Sequence, residues 1–570
     1  MWQRKHWIVL VILLFVAAFF RISVAHWLAN DNPDDGRVYA QIARDVLEQH
    51  RYSQDAQPPY EPTLIRVPGY PLFIASVYSV FGHANNGAVR IVQALIDTAT
   101  CALVALLAFV WQSDVRRRTT TALLALAFAA VNPFTTIYSA TILPEVPTMF
   151  LAVAMCVTAS IALRSGDRTR QTRFWFVTGL LVGIAVLFRP DIGLFAAAIG
   201  LTLLAETLWM FRLRWRSGTV MGAVFSLAFC VALVPWTIRN WRTFHLFQPL
   251  APAHAEMPNE FIPHGYDRWL KTWLDDPQYI DPLEWELNVE PINIDELPDS
   301  AFDSDTERDR VVALFEKYNH PPTQVAANAS ASPQPQPSPA PQTSPTLSSA
   351  EKSAAPEPLP TQRASPSTNS NSNANQPEDT RGQNDNSSDE GDENEETDNE
   401  SNQPNTPHGP VEMTSEIDAG FAQIAAERIA RHPFRYYVLL PAKRARSLWF
   451  NTHSDFYPFE GTLMPLDDLD YEIHQQIWLP LFALLVAIYT IAGVGGGFAL
   501  WASHNLYARL WVLLVGLIVL LRLGFLSTLE NPEPRYVVEF FPFLAALFGI
   551  GVALLFKPKS DSSERIGQAS

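Results

Sequence analysis

Acids and arginines recur at the ends of apolar runs along this chain: Asp34, Asp35, Arg66, Glu145, Arg189, Arg239 and Arg535. A carboxylate can take a proton from an attacking hydroxyl, and a guanidinium grips a phosphate through a fork of donors. At a membrane surface such a set suits chemistry on an anionic lipid headgroup, with an acid as base and an arginine as phosphate clamp. The densest stretch runs from Asp34 to Phe73. Its left half reads as a short helix, because Tyr39, Ile42, Ala43, Val46 and Leu47 make one apolar face at helical spacing. Asp34 and Asp35 stand at its start, where the plain structural role is an N-cap. Its right half, Leu64 to Pro71, is a turn punctuated by Pro and Gly that carries Arg66 and Tyr70. Tyr39 and Tyr70 join the candidate substrate contacts. Glu145 lies between Pro144 and Pro147, where an acid beside apolar spans needs a role, a partner or a helix dipole. Arg189 can pair with Asp191 or bind an anion.

The elements that must position these residues are membrane spans. The chain has 570 residues, and its mean hydropathy near zero averages long apolar runs with one polar tract. A bilayer core takes roughly 20 apolar residues per helix. About ten stretches qualify, near 7–28, 88–111, 120–138, 145–163, 174–188, 191–211, 218–236, 476–501, 508–527 and 536–556. The first is long and lacks a clean small-residue cleavage site, so it reads as a retained helix and not a signal peptide. The predicted fold is therefore an α-helical polytopic membrane protein with an extracytoplasmic mixed region and a long disordered insert. Basic clusters at Arg116–Arg118, Arg164–Arg173, Arg212–Arg216 and Lys557–Lys559 alternate as cytoplasmic loops should. The candidate residues then share the opposite face of the cytoplasmic membrane. Gly179 and Gly183 give a spacing at which two helices pack closely. Arg90 and Gln93 read as interfacial residues with snorkelling side chains.

Six regions follow: a transmembrane catalytic module over 1–240 with its first outer loop at 29–87, an extracytoplasmic region 241–320, the insert 321–410, a helical extracytoplasmic region 411–475, the last spans 476–557, and a tail 558–570. The insert has almost no large apolar residues to offset chain entropy. Between Glu378 and Glu400 it holds eleven acids against one arginine, so the net charge of −17 is largely local and indicates no nucleic-acid partner. The Trp- and Tyr-rich stretch 259–288 can pack a core or line a sugar site. Past the insert, Ile417, Phe421, Ile424, Ala425 and Ile429 form a helical stripe ended by His432-Pro433. The three cysteines lie in apolar runs, with neither a disulfide framework nor a metal-ligand spacing.

With these features in view, the chain resembles the C-type membrane glycosyltransferases, in particular the branch of lipid A aminoarabinose transferases and protein O-mannosyltransferases. The resemblance rests on Asp35 four residues before Tyr39, then LIRVPGYPLFIASVYSVFG, RIVQ, the ILPE turn, GLLVGIAVLFRP, VPWTIRN and PEPRY before a final span. It implies inverting transfer of a sugar from a polyprenyl-phosphate carrier to a lipid, glycan or protein hydroxyl. Asp35 would be the first-loop catalytic acid, Glu145 the second-loop acid, and Arg66 the donor-phosphate ligand. Tyr70, Arg189, Arg239 and Arg535 fall within matching pieces. Arg66 stands where several relatives carry lysine, so the donor sugar is left open. No metal motif is present; a divalent cation would have to use Asp35 or Glu145 with water and phosphate oxygens. Two other classes compete: a secondary transporter of an anionic substrate, which should show internal repeats, and a non-catalytic scaffold recruiting partners through its insert.

Overall fold

A computed structural model describes residues 2–30, 34–209, 211–252, 256–258, 260–321, 411–451, 456–457, 459, 461–464, 466, 473–503, 505–530 and 533–555. The expected disordered insert and the tail lie outside the described residues. Met1–Pro321 and Gly409–Ser570 form one compact unit. In chain order its helices are α1 Arg4–Trp27, α2 Asp34–Glu48, α3 Gly69–Phe81, α4 Asn86–Trp111, α5 Arg118–Ala130, α6 Pro133–Thr136, α7 Glu145–Arg164, α8 Arg168–Val186, α9 Gly193–Trp209, α10 Phe211–Phe244, α11 His264–Leu270, α12 Asp305–Asn319, α13 Ser415–Arg431, α14 Leu440–Phe450, α15 Ile473–Ala502, α16 Leu506–Leu526 and α17 Phe541–Leu555. Among the described residues there is no strand, only an isolated bridge between Leu463 and Leu466.

The protein is a polytopic helical membrane protein. Among the described residues, eight helices are long and apolar enough to cross a bilayer, or nine spans if the pair Arg118–Ala130 with Pro133–Ser139, bent by 58°, is counted as one. The bend falls at Asn132-Pro133, where proline opens a new helix and the Asn132 side chain caps it by accepting from the Thr135 amide. The tenth expected span is α8; it forms, but Arg168, Arg170 and Arg173 in its first turns keep it below that apolar threshold.

Charge inside the bundle is paired. Arg21 of α1 donates to Asp97 of α4 at 2.6 Å and to the carbonyls of Ala129 and Ala130 at 3.2 and 3.0 Å, as an ionisable group in an apolar setting must be. Gly179 and Gly183 do what their spacing predicts: a Cβ on Gly179 would stand 2.2 Å from the Phe225 carbonyl oxygen of α10, and one on Gly183 2.6 Å from the Ala232 Cβ. Arg90 and Gln93 depart from expectation. Both are buried, and Gln93 accepts from the Tyr70 hydroxyl at 2.6 Å while donating to the carbonyls of Tyr138 and Thr141. Burial of an amide is offset there by three hydrogen bonds, so it holds α3 to the turn before α7.

The non-spanning region around α11–α13 has its own core. Tyr266, Trp269, Phe315 and Phe421 pack ring against ring at 4.9–6.2 Å, so these aromatics build the interior instead of a sugar platform. Helix α13 ends at Arg431, and Ile417, Phe421, Ile424, Ala425 and Ile429 are buried as the stripe predicts. Next to this core, burial lifts the Glu284 carboxyl to about 9, with Glu530, Asp267 and Glu533 adding to the effect. Burial and Glu530 likewise lift Asp267 to about 7. A carboxyl whose folded value is raised contributes stability below its unfolded value and loses it as pH rises through the folded one. Stability should therefore decline from about pH 4.5 toward pH 9. Glu284→Gln should flatten that slope and raise the thermal midpoint at pH 8 by about 1 °C for each kcal/mol recovered, since an unfolding entropy of about 2.1 cal/mol/K per residue sums to ~1 kcal/mol/K over a unit of this size. Thermal unfolding of both forms at pH 5 and pH 8 is the measurement; an unchanged slope counts against the assignment.

Candidate functional site

The turn Leu64 to Pro71 is held where Arg66 can reach the bundle. The Tyr52 hydroxyl donates to the carbonyls of Arg66 and Val67 at 3.0 and 3.1 Å. The Gly69 amide donates to the Leu187 carbonyl at 2.7 Å. A Cβ at position 69 would lie 2.5 Å from that same oxygen, so only glycine lets the turn close on the end of α8. Arg189 follows two residues later.

Two groups of charge result. In the first, the Asp35 carboxylate accepts from Arg66 at 2.6 Å on one oxygen and from Arg535 at 3.0 Å on the other. Arg535 is also paired with Glu533, which accepts from the Tyr536 hydroxyl at 2.9 Å. In the second, Arg189 donates to Glu145 at 2.8 Å and to Asp191 at 3.3 Å, with Glu539 at 4.0 Å. Arg522 contacts Asp191 at 2.6 Å and Glu539 at 3.1 Å. The Tyr536 ring joins the groups, since the Arg189 and Arg535 guanidiniums lie 5.0 and 5.5 Å from its centroid. Exposure grades across the site. The Asp35 side chain is 25% exposed, whereas Glu145 is 2% and Glu539 0% exposed.

Burial works to raise the Asp35 carboxyl, but Arg535 and Arg66 outweigh it and hold it below the ordinary carboxylate range. Asp35 is thus ionised at neutral pH and spent on two cations. Tyr39, packed edge-on to Tyr70 at 5.1 Å and 5.9 Å from the Arg66 guanidinium, is pushed up to about 12 by burial and by the Asp35 charge. It remains a neutral hydroxyl. Both Asp35 oxygens face guanidiniums here, and among the described residues no group of three or more His, Cys, Asp or Glu could hold a metal. The geometry offers cation pairs for an anion, an ionised acid beside them, and one buried Glu145 oxygen, Oε2, without a hydrogen-bond partner.

Residues 61–236, under a third of the chain, match the model of a family described as dolichyl-phosphate-mannose-protein mannosyltransferase. The resemblance to the C-type membrane glycosyltransferases is thereby borne out over that stretch. Comparison with curated proteins found no match. Among solved structures, an archaeal oligosaccharyltransferase, AglB from Archaeoglobus fulgidus in complex with an inhibitory peptide and a dolichol-phosphate, is 12% identical with a TM-score of 0.46; the match covers 97% of this chain and 50% of that one. This chain thus spans about half the length of that protein. ArnT from Cupriavidus metallidurans in the apo state is 13% identical with a TM-score of 0.28, over 95% of this chain and 77% of its own.

Set against what the C-type resemblance implies, Asp35, Arg66 and Arg535 meet in one group, and Glu145 and Arg189 in the other. Asp34 opens α2, and its side chain lies outside the described residues. Tyr70 is fully buried and supports Tyr39 from behind. Arg239 joins neither group. It donates to the carbonyls of Thr63 and Tyr52 at 2.7 and 3.3 Å and lies on the rings of Tyr52 and Trp236, bracing the first loop. Sequence reasoning missed Arg522 and Glu539. Their signal was present: an arginine and a glutamate set among apolar residues inside the last two spans, a pattern that calls for a partner.

Proposed function

We propose that this protein transfers a sugar, with inversion, from a polyprenyl-phosphate donor to a hydroxyl of a lipid, glycan or protein acceptor. In this reading Asp35, Glu145 and the arginines face outward from the cytoplasmic membrane. The observation that carries the proposal is the Asp35 carboxylate held between Arg66 and Arg535. The family match, whose members are described by a lipid-phosphate sugar donor, supports the same substrate class.

In the free protein the two guanidiniums neutralise the base. An arriving donor phosphate competes for both and draws them from Asp35. The carboxylate then loses the charges that hold its proton affinity down and becomes a better base. The acceptor oxygen attacks the anomeric carbon, the bond from that carbon to the phosphate oxygen breaks, and the bonding pair leaves with the phosphate. The acceptor proton goes to Asp35. Arg66 and Arg535 meet the charge that grows on the leaving phosphate, where a positioned donor counts most. One displacement inverts the anomeric centre. Glu145, oriented by Arg189, lies deeper and keeps Oε2 for an acceptor or sugar hydroxyl.

Arg66→Ala tests this reading. A hydrogen bond to a charged group contributes about 1.5–3 kcal/mol, so binding of polyprenyl phosphate should weaken about 10- to 100-fold, and turnover should fall as well. The acid limb of kcat/KM, which reports free-enzyme groups, should move up toward the ordinary 3.8, because one of the two cations that depress Asp35 is gone. Unchanged polyprenyl-phosphate binding in this variant would sink the proposal.

A further inference from the structure

Helix α8 carries Arg189 just beyond one end and Arg168 and Arg173 in the first turns of the other. At that second end, remote from the candidate site, a groove of about 830 Å3 runs between α8 and α10, lined by Arg168, Arg173, Phe176, Val177, Val224 and Leu227. We propose that this groove binds an anionic phospholipid, with its phosphate between Arg168 and Arg173 and an acyl chain along the apolar wall.

Four observations converge. The wall faces the lipid side of the bundle: Phe176, Val177 and Leu227 are 45%, 40% and 65% exposed. The apolar positions continue the arginine stripe along α8, so a headgroup at the helix start places its chain along the helix. Neighbouring arginines are occupied, Arg164 on the Val110 carbonyl at 3.1 Å and Arg170 over the Phe174 ring at 5.7 Å. Arg168 and Arg173 pair with no carboxylate among the described residues. Finally, arginines in the first turns of a helix oppose its dipole, so helix stability does not explain them.

The groove is also bounded. Farther along the pair, Gly179 and Gly183 bring α8 onto the α10 backbone with no room for a Cβ, so α8 and α10 close together there. Its volume falls within the roughly 300–1,000 Å3 of small-molecule and cofactor sites, and basic pockets between membrane helices are a recurrent headgroup device. Charge at one end and hydrocarbon along the rest match a phospholipid; free phosphate would leave the wall unused. The inference is independent of the proposed sugar transfer.

The test is native mass spectrometry of the full chain in mild detergent, stripped of copurifying lipid. The chain is offered equal amounts of phosphatidylglycerol and phosphatidylcholine with the same acyl chains. One phosphatidylglycerol should be retained in preference. Arg168→Gln with Arg173→Gln should weaken it about 30-fold, to the phosphatidylcholine level, as expected for two basic residues at a lipid surface. Should that double variant not fold, Arg173→Gln alone should weaken it about 5-fold. Leu227→Trp, at an exposed position, should weaken both lipids by filling the wall. Equal retention of the two lipids, undiminished phosphatidylglycerol in the arginine variants, no retained lipid, or displacement by inorganic phosphate overturns the proposal.

Discussion

Asp35→Asn should lower turnover by about 10²–10⁴-fold, the contribution of a positioned base to a proton transfer in the transition state, while polyprenyl-phosphate binding persists or tightens. The two halves of this expectation have different origins. Asn keeps the shape of Asp but cannot take the acceptor proton, so the chemical step suffers. It also carries no charge to hold Arg66 and Arg535, which donate to Asp35 at 2.6 and 3.0 Å. Freed of that carboxylate, both guanidiniums are available to a phosphate. A purely structural role predicts something else. Asp35 lies inside the first turn of α2 and not at its cap, with both oxygens on arginines, so a carboxylate that only ties Arg66 and Arg535 would be missed in thermal stability while transfer per folded molecule stayed near wild type. Sugar transfer and polyprenyl-phosphate binding, measured side by side in nanodiscs, separate the cases. Near-wild-type turnover would remove Asp35 from the mechanism and turn attention to Glu145.

Arg522→Met should cost about 3–5 kcal/mol of stability, the usual result of removing one partner from a buried ion pair. Arg522 and Glu539 are both fully buried, and Asp191 leans on the same guanidinium at 2.6 Å. Methionine fills a similar volume with no charge, so Glu539 is left facing only Arg189 at 4.0 Å. The penalty is chiefly that of an uncompensated buried carboxylate, so Glu539→Gln added to Arg522→Met should recover part of it. Thermal unfolding in detergent across the single and double variants measures this coupling. If Arg522→Met unfolds like the wild type, or the second change recovers nothing, the pair is not a stabilising unit.

What the sequence makes legible is local. The apolar face of α2, the close packing at Gly179 and Gly183, the stop at His432-Pro433 and the spans themselves follow from spacing within one helix. The individual members of the candidate site are legible too, because an acid or arginine at the end of an apolar run is conspicuous. Their pairing is not. Arg535 and Asp35 are 500 positions apart, and Arg522 and Asp191 are 331 apart. Only the folded bundle decides which cation meets which carboxylate. Arg239 shows the reverse failure: by sequence it resembles Arg66 in type and setting, yet backbone carbonyls and aromatic rings take its donors and its face. Aromatic-rich 259–288 was ambiguous for the same reason, since composition does not say whether rings face each other or a ligand.

The Tyr536 ring, gripped between Arg189 and Arg535, makes the open and closed ends of the charge cluster one mechanical body. An anion that draws Arg535 outward must either carry the ring along or strip it of one cation, and both outcomes reach Arg189 and the glutamate it orients. If an anion binds there as proposed, occupancy at the mouth is then felt at the floor. By thermodynamic reciprocity, whatever settles on Glu145 alters the grip on the phosphate by the same factor. In the proposed reading, donor and acceptor would thus be coupled through one aromatic side chain.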